Sequence, residues 1–109
     1  VYKAGLIADP GDYISSTVKF LQEQQAKWQA EIPVNTNPAK RLAGQCVGRC
    51  IVIIASDMLA PIARRWKGQV NELAKSWCQF DVLPEADHNT LAGVTYPQAV
   101  LEKLMVIFL

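Results

Sequence analysis

The sequence predicts an α/β fold: a three-layer α/β/α sandwich around a parallel sheet that is incomplete. Three observations predict it. The run Cys50–Ala55, CIVIIA, is apolar throughout and does not alternate; a strand of that kind is buried on both faces, as in parallel sheets. Two further largely apolar runs, Phe80–Leu83 (interrupted by Asp81) and Leu104–Leu109, follow at separations that leave room for crossovers. The segment between the first two runs repeats its apolar residues at helical period. Strand, helix, strand in that order is a βαβ pattern.

The 109 residues make one domain with a single core. Eleven basic and ten acidic residues leave a net charge of +1, which excludes the strong basic bias of a nucleic-acid binder. No apolar run approaches the roughly 20 residues that span a bilayer, and the first residues lack a signal-peptide pattern. Membrane and nucleic-acid partners are therefore not expected. The three cysteines, Cys46, Cys50 and Cys78, are odd in number and lack CxxC spacing. They read as buried free thiols in a reducing cytoplasm. No GxGxxG or Walker pattern is present, and neither a metal nor a cofactor is expected. The chain starts without Met and stops on an apolar run, so it reads as a piece of a longer protein.

Taken in order, residues 1–11 read as an irregular lead-in. Asp12 is a candidate N-cap for a helix over 13–30, with Ile14, Val18, Leu21 and Trp28 on one stripe. Pro33 stops it. Asn37 as N-cap and Pro38 at the first helical position start a short helix over 38–46, which Gly48 ends. After the Cys50–Ala55 strand, Ser56-Asp57 caps a helix over about 57–76. Its stripe of Leu59, Ile62, Ala63, Trp66, Val70, Leu73, Ala74 and Trp77 spans about 120°. All three Trp residues read as core. Pro84 halts the second strand, and residues 84–88 read as a loop. One helical turn is expected near 89–93, and a helix over 97–103 precedes the third strand. The division expected is a lead-in and linker helix over 1–36 and the sandwich proper over 37–109.

The residues able to do chemistry cluster between 66 and 89. Glu72 lies ~140° from the centre of its helix's apolar stripe, so on its own it reads as a solvated carboxylate. His88, the one histidine, follows the second strand and on its own reads as a surface residue. Ligands of open parallel sheets bind beyond the carboxyl ends of the strands, however. A carboxylate and an imidazole together make a general base and a general acid. An aldose–ketose isomerase needs that pair: the sugar ring opens, and a proton moves from C2 to C1 through an enediol. Arg64, Arg65 and Lys67 form a basic cluster suited to a phosphate or simply to a wet helix face. Ser56 and Asp57 could present backbone N–H groups to an anion, or only cap.

RRWKGQVNELAK followed by LPEADHNTLAG resembles the signature region of the bifunctional phosphoglucose/phosphomannose isomerases, which have the sugar isomerase (SIS) fold. The resemblance runs from about Asn37 to the terminal LMVIFL, roughly two thirds of the chain. It implies that the chain corresponds to most of a second SIS domain plus a preceding linker helix. It further implies Glu72 as the catalytic base and His88 as the ring-opening residue, acting in the partner subunit's site of a homodimer. Asn71 and Asn89 match flanking motif residues that orient their neighbours, and Arg65 and Ser56 are candidate substrate contacts. The implied substrates are glucose 6-phosphate, mannose 6-phosphate and fructose 6-phosphate, in the cytoplasm. The sequence departs from the family where Leu73 follows Asn71-Glu72, where Thr90 follows His88-Asn89, and near Val94. An alternative is a non-catalytic SIS module that binds a sugar phosphate for regulation.

Overall fold

The computed structural model describes residues 1–109. They form two compact units, Val1–Ala43 and Gly44–Leu109. The first unit opens with a 3-10 turn at Tyr2–Ala4, followed by helix α1, Gly11–Gln25. α1 begins and ends earlier than its pattern suggests. Asp9, not Asp12, accepts from the Gly11 amide at 2.9 Å, and Asp12 sits inside the first turn. Ile14, Val18, Leu21 and Trp28 are all about half exposed, so this stripe forms no core within the unit.

Helix α2, Pro38–Cys46, starts and stops where expected. Asn37 is 1% exposed and caps it, its Oδ1 accepting from the Lys40 amide at 3.1 Å. Its Nδ2 donates to the Gln29 carbonyl at 3.2 Å. Lys40 Nζ donates to the carbonyls of Ala30 and Ile32. A cap thus ties the preceding turn down instead of merely satisfying a helix end.

The second unit is the sheet. Strands β1 (Cys50–Ser56), β2 (Cys78–Leu83) and β3 (Leu104–Phe108) lie in the order β2-β1-β3, and both pairings are parallel. Ile53 pairs with Phe80 on one side and Ile107 on the other. Paired residues share a face, so Ile51, Ile53, Ala55, Cys78, Phe80 and Ile107 form one apolar face. Helix α3, Ala60–Leu73, brings Ala63 and Val70 onto it. The opposite face carries Val52, Ile54, Asp81, Val106 and Phe108, and Phe108 is 70% exposed. β1 is therefore covered well on one face and unevenly on the other.

Burial raises the thiol pKa of Cys78, with the Lys67 charge pulling the other way and Cys46 adding to the rise. All three cysteines are free, and only Cys78 is fully buried. Several expectations need correction. The helix after β1 does not start at 57: a 3-10 turn, Asp57–Leu59, precedes α3, and Ser56 makes no side-chain cap bond. Asp57 sits at φ 45, a left-handed turn that breaks the helical entry. Trp28, Trp66 and Trp77 are 52%, 37% and 57% exposed and are not core. Of the α3 stripe, Leu59, Ile62 and Leu73 also stay exposed, because three strands cover only the side holding Ala63 and Val70. No helix is long and apolar enough to cross a membrane.

Candidate functional site

The crossover from β1 through α3 to β2 fixes where Glu72 can be. α3 leaves the carboxyl end of β1 and must return to the amino end of β2, since the strands are parallel. Glu72 lies in its last turn and is exposed on the side away from the sheet. Pro61, Arg64, Arg65 and Gly68 lie on that same outer side and line an open groove of about 300 Å3. A Cβ built on Gly68 would meet Glu72 Oε1 at 3.9 Å and nothing nearer, so the carboxylate leans back over the glycine. Gln69, with its amide oxygen turned to Arg65, accepts from Nη2 at 2.9 Å and Nε at 3.2 Å.

His88 is not in a loop. Residues Glu85–His88 form a single helical turn, α4, with His88 as its exposed last residue, and Thr90–Gly93 form a second turn, α5. A further turn, α6, spans Gln98–Leu101. The buried Ala86 side chain roots α4. Asn89 Nδ2 donates to Glu85 Oε1 at 2.7 Å. The Thr90 hydroxyl donates to Asp81 Oδ2, and Asp81 Oδ1 accepts from the Val82 amide at 2.8 Å. Asp81 pairs with Ile54 and so projects on the face opposite α3. The His88 segment is thereby anchored to that opposite face.

Glu72 and His88 of one chain are consequently kept apart. Glu72 follows the chain to the amino edge of the sheet, beyond a helix on one face. His88 follows the carboxyl end of β2 on the other. The six residues of β2, at about 3.3 Å each, span roughly 20 Å, whereas a proton passed between groups needs contact at about 3 Å. Ser56 is partly buried at the end of β1 beside Leu83, near the His88 segment and not near Glu72. Arg65 shares the Glu72 side of α3. Asn71 is partly buried next to Glu72, and its Oδ1 is buried with no hydrogen-bond donor, a costly arrangement that marks a position needing a partner. Gly68 and the Asp81–Thr90 bond were not singled out from the sequence. The only signal for the first is a glycine inside a helical pattern; the second joins residues nine apart and leaves no local signal.

The comparisons with known proteins agree with this architecture. Residues 35–109 match the family model described as the bacterial phospho-glucose isomerase C-terminal SIS domain. A bifunctional phosphoglucose/phosphomannose isomerase of Caldicellulosiruptor bescii is 35% identical over 108 residues, which is 98% of this chain and 32% of that protein. One of the same description from Aquifex aeolicus is 41% identical over 59 residues, 54% of this chain and 18% of that protein. A D-glucosamine-6-phosphate 4-epimerase of Sulfolobus acidocaldarius is 47% identical over 51 residues, 47% of this chain and 16% of that protein. The chain thus spans about a third, or less, of the length of these relatives. No solved structure matches it. The matched span holds more than half of the chain and the whole of the sheet unit, Gly44–Leu109, and the chain belongs to the bacterial phospho-glucose isomerase C-terminal SIS domain family.

Proposed function

We propose that this chain is the catalytic SIS domain, over residues 37–109, of an aldose–ketose isomerase acting on hexose 6-phosphates in the cytoplasm, within glycolysis and gluconeogenesis. The observation that carries the reading is the match over 98% of the chain to a relative named for phosphoglucose and phosphomannose. A third relative is named for another hexose 6-phosphate, which supports the substrate class. In this reading His88 passes a proton to the ring oxygen as the bond from C1 to that oxygen breaks, and the C1 hydroxyl gives up its proton, so that the pyranose opens to the aldehyde. The Glu72 carboxylate then takes the C2 proton. The C–H electron pair forms the C1–C2 double bond of a cis-enediol, the carbonyl oxygen gaining a proton. Return of the proton from Glu72 to C1, with the O2 hydroxyl giving up its proton, leaves the carbonyl at C2. Asn71 and Asn89 orient their neighbours, and Arg65 and Ser56 contact substrate. The separation of Glu72 and His88 within one chain supports a homodimer in which each site takes Glu72 from one copy and His88 from the other.

In the full-length protein, Glu72→Gln lowers turnover by about 10²–10⁴-fold, the usual worth of a positioned general base, while fructose 6-phosphate still binds. Activity that survives Glu72→Gln rejects the base assignment. The 109 residues alone show little or no turnover, since they span only 32% of the isomerase they match and lack the rest of the substrate pocket.

A further inference from the structure

Gly68 is in the interior of α3, where glycine weakens a helix relative to alanine. Packing does not require it. A Cβ there would find only Glu72 Oε1, at 3.9 Å, an ordinary contact. Its backbone is not in the left-handed region that favours glycine. Nothing in the fold of this chain opposes a side chain at 68, yet the position is the floor of the groove that Pro61, Arg64 and Arg65 wall.

Two charged groups flank Gly68 on the outer side of the helix. Glu72 Oε1 leans back by one turn to the level of Gly68. Arg65 reaches forward by one turn, its Nη2 and Nε held by Gln69. Two bonds from one amide oxygen fix the guanidinium plane and leave Nη1 free to donate. A carboxylate and a held guanidinium therefore flank one gap in the side-chain surface.

Building on the isomerase reading above, we infer that Gly68 is a substrate-accommodating residue: its bare backbone is the seat of the reacting C1–C2 end of the hexose phosphate. There Glu72 meets the proton, and Arg65 donates to the oxygen on which negative charge develops. Arg64 forms the second wall, and Gln69 is a positioning residue that acts through Arg65. The absent side chain sacrifices helix stability for access to the base.

The test uses the full-length protein with Gly68→Ala, Gly68→Leu and Glu72→Gln, measuring thermal unfolding and the steady-state kinetics of fructose 6-phosphate. Gly68→Ala raises Tm, because alanine favours the helix, and raises KM at least tenfold. Gly68→Leu removes binding. Glu72→Gln lowers kcat with little change in KM. Unchanged KM and kcat in both Gly68 variants, with Glu72→Gln inactive, overturns the inference and leaves the isomerase reading standing. A fully active Glu72→Gln variant overturns both.

Discussion

Thr90→Val isolates the bond that anchors the His88 segment. The change keeps the β-branched shape and removes the hydroxyl that donates to Asp81 Oδ2. Asp81 keeps one acceptor engaged, Oδ1 with the Val82 amide, and the other is left without its donor. A hydrogen bond to an ionised group contributes about 1.5–3 kcal/mol. Asp81 and Thr90 are both partly buried, so water replaces some of what is lost, and the expected cost is about 1–2 kcal/mol. Urea unfolding measures it: the midpoint falls and the slope stays constant. Thr90→Ser restores most of the loss. Hydrogen exchange should show faster opening across 84–93 while Ile53 stays protected. A Thr90→Val variant within a few tenths of a kcal/mol of the parent, with unchanged exchange in 84–93, would refute the anchoring of α4 and α5 through this bond.

Other consequences are as direct. Ile53 is fully buried between both neighbouring strands, so Ile53→Ala lowers unfolding free energy by about 2–5 kcal/mol in a urea titration. Asn37→Ala removes a cap and a second bond to the Gln29 carbonyl; the cost is about 1–2 kcal/mol, seen as accelerated exchange of the Lys40 amide. Burial raises the Cys78 pKa, so the folded chain favours the neutral thiol. Stability from this source is complete below about pH 8.5, the ordinary thiol value, and is lost as pH rises past it. Comparison of urea midpoints with Cys78→Ala across pH 7–10 checks the sign: the variant lacks this part of the alkaline decline.

What the sequence disclosed was local chemistry and the period of apolar residues. Asn37-Pro38 is a self-contained start signal, and α2 begins there. CIVIIA needs only its own composition to read as a central strand, and β1 is that strand. The run 85–88 reads as a loop because one helical turn has no period to detect. The stripe on α1 and the indoles of Trp66 and Trp77 read as core and are exposed, because a pattern says which face is apolar and not what covers it. The site shows the same division. Glu72 and His88 stood out as a candidate base and acid, their spacing read from the family resemblance. Their placement across the sheet from one another follows from the parallel pairing of β1 with β2 and from the Asp81–Thr90 bond, neither of which is a property of the 66–89 stretch alone.

The separation of Glu72 from His88 within one chain makes the shared site of two copies the central claim. Full-length Glu72→Gln and His88→Gln proteins, each inactive, are mixed in equal amounts, unfolded, and refolded together. Random pairing in a two-fold dimer makes half the dimers mixed, each with one intact site, so about a quarter of parental turnover returns. No recovery in the mixture, with mixed dimers shown to have formed, contradicts a site built from Glu72 of one copy and His88 of the other.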